Sequence, residues 1–258
     1  MSQVHDLALK LKRGAGSLAG AVSLLVVLNA SPAFACPVAG VTFAQLQAAL
    51  QSAVAAGNGG LGFPMWATIV DRDGVVCLVA KSGAAGAQWP GSRVISAQKA
   101  NTANAFSLPG FALSTANLFS ATQPGGSLFG LQESNPVNPA VAYVGSSATW
   151  GTAADNLMGQ KIGGVNVFGG GLALYNGGLV GGLGVSGDTS CADHNIAWRV
   201  RAALGLNHVP SGVAPAGNDG IIYDVTGSHG NFESKSGFGH PLCGGTEQDV
   251  AKNIGAGG

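Results

Sequence analysis

Three side chains able to move protons or hold a metal crowd one short stretch: Asp188, Asp193 and His194 within VSGDTSCADHNIAWRVRAALGL. His194 can donate an imidazole to a metal, with Asp193 orienting the ring or binding an amine. The plainer reading makes Asp193 a first-turn acid that answers free amide groups and the helix dipole, with His194 its exposed neighbour. A second group lies in PGSRVISAQKANTANAF, where Arg93 and Lys99 suit the carboxylates of a ligand. Alternatively Lys99 lays its stem beside a sheet and keeps its ammonium in water. Trp66, Trp89 and Phe168 offer faces on which a planar molecule could stack, or simply fill a core. His208, His229 and His240 belong to a glycine- and proline-rich tail, either solvated or free to swing onto a ligand, while Met65 and Met158 read as core fillers.

Two formal motifs fail on context. Gly182-Leu183-Gly184-Val185-Ser186-Gly187 matches G-x-G-x-x-G ahead of a helix, but its strand belongs to a hairpin and no acid follows at the spacing a dinucleotide loop needs. Ser186 is not in a nucleophile elbow, so a triad with Asp193 and His194 has no support. The cysteines Cys36, Cys77, Cys191 and Cys243 form no C-x-x-C, which removes a redox dithiol, a zinc ribbon and covalent haem attachment.

Residues 1–35 read as an export signal: Lys10, Lys12 and Arg13, an apolar run Leu18–Leu28, and Ala33-Phe34-Ala35 as a peptidase site. The apolar segment barely reaches the ~20 residues of a membrane span, so no stable anchor is expected after cleavage, and the location is periplasmic or secreted. In such a compartment four cysteines imply two disulfides with three connectivities. Cys36–Cys77 with Cys191–Cys243 is preferred, because the second bridge would pin the tail to the body. Twelve basic and twelve acidic residues cancel in 258, and no basic cluster follows the N-terminus, which argues against a nucleic-acid partner. Only 9% of residues are charged, and a homo-oligomer is expected.

The elements that position these groups are legible from period and punctuation. Val41–Ala56 carries one apolar helical face behind Thr42 as N-cap. Met65–Val70 and Val75–Ala80 form a hairpin apolar on both faces. Gly91–Phe106 is an alanine-rich helix, and Thr122–Trp150 is irregular. Gly163–Tyr175 and Gly178–Val185 fold back about Asn176-Gly177 as a type I′ hairpin, followed by a helix over Thr189–Leu204. Glycines this dense weaken a strand unless another backbone, a second subunit or a flat ligand must approach closely. Hairpins separated by helices exclude a doubly wound sheet and give an α+β fold, an antiparallel sheet of about five strands with helices on both faces. From residue 207 to 258 no hydrophobic period survives, which predicts a loop-rich extension.

The chain resembles the GlcG/HbpS haem-binding family, formerly a domain of unknown function, over about Val41 to Leu206. The resemblance rests on IVDRDGVVCLVA followed by Ser-Gly-Ala at 82–84, on SAQKANTANAF, on IGGVNVFGGGLAL, and on VGGLGVSG followed three residues later by CADHNIA. It departs at Cys191, where an acidic residue or Gln is commoner, and in the extension, which lies outside the family core. The resemblance implies a profilin-like fold for 36–206, assembly into dimers or rings, and non-covalent binding of haem outside the cell for scavenging, storage or redox sensing. It adds Thr102, in the matching Lys-Ala-x-Thr-Ala, to the haem-contact set Arg93, Lys99, Phe168, Asp193 and His194, with His194 the candidate iron ligand. Two rival functions remain: a small-molecule catabolic enzyme or accessory protein using Asp193 or His194 as acid or base, and a structural module whose glycines serve oligomer packing.

Overall fold

Thr42 starts the first helix, α1 (Phe43–Ala55), through a reciprocal cap: its hydroxyl accepts from the Gln45 amide, and the Gln45 side chain accepts from the Thr42 amide. Leu46, Ala49, Leu50 and Ala53 form the buried face. In the computed structural model, which describes residues 38–227 and 231–258, a hairpin follows. Its strands β1 (Trp66–Asp71) and β2 (Val76–Lys81) are buried on both faces, and the Asp71 carboxylate holds the turn by accepting from the Asp73 and Val75 amides. The proposed signal at 1–35, Cys36 and His229 lie outside the described residues.

The second helix, α2 (Pro90–Ala105), opens with proline in its first turn. Two single-turn helices, α3 (Leu131–Ser134) and α4 (Pro139–Ala142), punctuate the irregular middle segment. Strands β3 (Gly171–Tyr175) and β4 (Leu179–Ser186) form the second hairpin, and α5 (Ser190–Ala203) follows behind Thr189, whose hydroxyl accepts from the Ala192 amide. The sheet runs β2-β1-β4-β3, antiparallel throughout. It has four strands where about five were expected. Gly163, Gly164 and Gly170 all take positive φ, which breaks the extended run before residue 171. The connection is also not a type I′ turn. Asn176 keeps negative φ, Gly177 alone takes φ +68°, and a bulge at Tyr175 leaves a three-residue loop.

Period two along the strands divides the core. Ala67, Ile69, Leu172, Leu174, Leu183 and Val185 face α1 and α5, while Val70, Val76 and Val79 face α2 with Val94, Ala97 and Ala100. On that second face β4 carries Gly182 and Gly184 where α2 crosses it. A Cβ at Gly184 would lie 1.9 Å from the Ser96 carbonyl oxygen, and one at Gly182 would lie 2.2 Å from that of Ala100. The backbone that the glycines admit is therefore the protein's own α2, and this face is closed to a planar ligand or a second subunit.

The extension is less irregular than its composition suggests. It adds a two-residue ribbon, β5 (Val225–Thr226) with β6 (Glu233–Ser234), and a helix, α6 (Glu247–Ile254), with acids in its first turn, Lys252 in its last and Gly255 at φ +72° as the stop. Its early part is bound to the family-like core by a buried fork from Arg201 to Asp219, with Nη1–Oδ2 at 2.6 Å and Nη2–Oδ1 at 2.8 Å. Its later part is bound by the Cys191–Cys243 disulfide. Cys77 is also disulfide-bonded; the partner preferred from the sequence, Cys36, is outside the described residues. No helix among the described residues is long and apolar enough to cross a membrane.

Candidate functional site

Lys99 of α2 points past the end of β4 toward the first turn of α5. Its Nζ donates to Asp193 Oδ2 at 2.6 Å and to the Val185 carbonyl at 3.1 Å, and lies 4.6 Å from the centre of the Phe168 ring. Asp193 Oδ1 accepts from the Asp188 amide at 2.9 Å, so the carboxylate serves both the ion pair and the helix start. Burial pushes the Lys99 ammonium down, with Asp193 opposing, and lifts Asp193 to about 6, with Lys99 opposing. Asp188 is a structural anchor: it accepts from the Leu61, Gly62 and Phe63 amides.

His194 is fully buried beside this pair. Its Nε2 lies 3.2 Å from the Ala256 carbonyl of the extension, its ring stacks on Trp198, and its Nδ1 has no partner. Burial lowers its pKa to about 3, so at neutral pH it is a neutral imidazole with Nε2–H donated and a bare lone pair on Nδ1. The plainer expectation of an exposed neighbour does not hold, because the extension covers it. Thr102, one turn beyond Lys99, supports the same region: its hydroxyl donates to the Gln98 carbonyl and accepts from the Asn166 amide at 2.9 Å. The structure thus brings Lys99, Phe168 and Asp193 into contact, with His194 next to Asp193 on α5 and Thr102 one turn along α2, bonded to Gln98 and Asn166.

Arg93 lies apart from that group. It is fully buried, pairs with Asp155 through Nε at 3.0 Å and through Nη2, and rides over the Trp150 ring. Its Nε–Nη2 edge is already spent within the chain, and Nη1 is buried without a partner. Of the other aromatic candidates, Trp66 is buried and donates from Nε1 to the Trp89 carbonyl. Trp89 is 54% exposed and pairs with Phe63 at 5.0 Å between ring centres.

The sequence reading gave His240 too little weight. It is 1% exposed, its Nε2 accepts from the Gly169 amide, and its Nδ1 lies 2.8 Å from the Pro241 carbonyl and 3.8 Å from Cys191 Sγ. Burial lowers its pKa to about 4. The usable signal was its place three residues before Cys243, since a bridge to Cys191 carries it onto the start of α5. The donor atoms of Cys191, His240 and Cys243 lie within 4.8 Å of one another, but the two sulfurs are bonded together and Nδ1–H is donated to Pro241, which leaves no metal set in this state.

The donors fit an iron ligand in one respect: the neutral His194 imidazole, with one nitrogen unpartnered. The porphyrin does not fit. Lys99, Asp193 and His194 are each 1% exposed or less, Lys99 is neutralised from within, and the extension closes the imidazole from outside; only Phe168 is partly open.

Residues 41–202 match a family whose description is "Haem degrading protein HbpS-like". Solved structures similar to this chain include a "PduOC:Heme complex" at 27% identity, covering 64% of this chain and 94% of that one with a TM-score of 0.44. Protein ORFY of Klebsiella pneumoniae is 25% identical, with 64% and 90% covered and a TM-score of 0.42. HbpS is 20% identical, with 64% and 90% covered and a TM-score of 0.39. No curated protein gives a significant match.

Proposed function

Because the chain belongs to the HbpS-like haem degrading protein family, we propose that it binds haem non-covalently at the polar centre formed by α2, the 168–170 loop and the start of α5, once the C-terminal extension has moved off His194. The observation that carries this reading is His194: a buried neutral imidazole, unpartnered at Nδ1, inside the matched segment. In the uncovered centre His194 would hold the iron and Phe168 would meet the macrocycle, with Lys99 and Thr102 of α2 beside them. Asp193 sets the position of Lys99. Arg93 is left out because Asp155 holds it. Haem supplies the redox chemistry when bound, and the protein supplies orientation, a dry site and charge. We place the protein outside the cytoplasm, supported by the absence of any free cysteine among the described residues, and as a homo-oligomer, supported by the exposed apolar cluster of Leu61, Phe63 and Trp89.

The test is a hemin titration of oxidised and reduced protein, followed at the Soret band, with His194→Ala beside the unchanged chain. A saturable shift that His194→Ala alters supports the assignment. No shift with either redox form at micromolar hemin refutes it.

A further inference from the structure

The matched family segment ends at 202, yet the groups that close His194 come from beyond it. Ala256 accepts from His194 Nε2, the Glu247 carbonyl accepts from Asn195 Nδ2 at 2.9 Å, and the Glu247 carboxylate accepts from the Thr189 hydroxyl at 2.7 Å. All lie C-terminal to Cys243, whose bond to Cys191 is the covalent tie between extension and α5 among the described residues. The first part of the extension has independent anchors in Arg201–Asp219 and in Asn117 Nδ2 to the Gly220 carbonyl at 2.9 Å. The later part also pairs by backbone with the earlier one, Ile221 N donating to the Ala256 carbonyl at 2.8 Å and Gly258 N to that of Ile221 at 3.1 Å, so opening the bond would remove its covalent tie to α5 and leave it held by these hydrogen bonds and those of Glu247.

The two sulfurs are unequal. Cys191 is fully buried in the first turn of α5, whereas Cys243 is partly exposed on an open stretch that includes Leu242 and Gly244. Of the two, only Cys243 presents surface to solvent, and its Sγ accepts from the Cys191 amide at 3.3 Å and lies 3.5 Å from Ser190 Oγ. As a leaving group Cys191 is well provided for. It would depart as a thiolate in the first turn of α5, 3.8 Å from His240 Nδ1, whose proton, now donated to the Pro241 carbonyl, can turn to the sulfur because Nε2 accepts from Gly169.

We propose that Cys191–Cys243 is a thiol-exchange latch, attacked at Cys243 by a small thiol or dithiol reductant, whose opening releases the segment after Cys243 from α5 and uncovers the Asp193–His194 centre. In the first step the thiolate sulfur bonds to Cys243 Sγ, the Cys191–Cys243 bond breaks and Cys191 leaves with the electron pair. A second thiolate then attacks the reductant's sulfur in the mixed disulfide, Cys243 leaves as a thiolate, and two reductant thiols have become one disulfide while the protein has gained two electrons. The latch stands on this geometry alone; that it admits haem rests on the function proposed above.

Two measurements test it. The full chain is incubated with glutathione, quenched in acid, alkylated and mapped by mass spectrometry. The adduct is expected on Cys243 with Cys191 alkylated, and an adduct on Cys191, or none, overturns the proposal. Separately, Cys243→Ser is compared with the unchanged chain by hydrogen exchange and by diethyl pyrocarbonate labelling. Amides of 244–256 are expected to exchange about a hundredfold faster and His194 to become reactive, with protection of β1 and β4 retained. Unchanged exchange overturns the latch, as does loss of protection throughout the sheet. Opening without hemin uptake overturns the haem reading and leaves the latch supported.

Discussion

Substituting Gly184 by alanine tests the packing on which the site depends. The added Cβ would meet the Ser96 carbonyl oxygen at 1.9 Å and the Ala100 amide nitrogen at 2.5 Å. Both are backbone atoms of a helix interior, so no rotamer change relieves the clash. An ordinary carbon–oxygen contact of roughly 3.3 Å requires α2 to retreat by more than 1 Å, against a core as densely packed as an organic crystal. That retreat pulls on the Thr68–Ser96 hydroxyl contact at 2.7 Å and on Lys99, whose partners Asp193 and Val185 lie across the seam. Overpacking usually costs about 1–3 kcal/mol; with an immovable partner and a strained buried ion pair, we expect about 3–5 kcal/mol for Gly184→Ala. At a urea m-value of about 2 kcal/mol/M the midpoint should fall by about 2 M. Gly178→Ala is the control, because a Cβ there meets nothing within 4 Å, and it should leave the midpoint unchanged. Equilibrium urea unfolding decides the matter. A Gly184→Ala protein within about 0.5 kcal/mol of the unchanged chain would refute the claim that α2 occupies the glycine face.

Stability should fall on acidification between about pH 6 and pH 4. The folded His194 and His240 titrate near 3 and 4, below the ordinary 6.5, while the folded Asp193 titrates near 6, above 3.8. At pH 5 the unfolded chain thus holds two imidazole protons that the native state lacks, against one carboxyl proton held only by the native state. The net of one proton gives about 1.4 kcal/mol lost per pH unit lowered. In a urea series across this range His194→Gln should flatten the slope nearly to zero, and an unaltered slope would contradict the assignment. Lys99→Met should cost about 3–5 kcal/mol by stranding the Asp193 charge, and adding Asp193→Asn should recover more than half of that; equal losses in the single and double variants would show that the pair does not interact.

Element types and order were readable because local signals agreed: the Thr42 cap, the apolar runs of β1 and β2, the alanine-rich run of α2 and the helical period of α5 each act over a few residues. The strand before Gly171 was overestimated, since a glycine reads the same whether it continues a strand or turns it by positive φ. The glycine density of β4 pointed correctly to a close backbone approach, but the sequence could not say that the approaching backbone was α2. The site shows the same division. Residue type and position single out Lys99, Asp193 and His194 as candidates, while their burial could not be read, because it comes from partners far along the chain. Asp155 and Asp219 pair with two buried arginines, and Ala256 closes His194 from 62 residues away. Spacing cannot report such pairings, and α6, with its acidic start, basic end and glycine stop, was hidden by the glycine-rich sequence around it.

The fork between Arg201 and Asp219 makes the matched family segment inseparable from the C-terminal extension. A polypeptide cut after residue 206 would keep the guanidinium over the Trp198 ring, 4.6 Å from its centre, but would lose the only carboxylate bonded to it among the described residues. It would also bare the apolar side of α5 against which Ile221 and Ala251 rest. Such a fragment, though it contains every residue of the family match, should not persist as a soluble, cooperatively folding species, so residues 207–258 are a constituent of this protein's architecture and not an appendage.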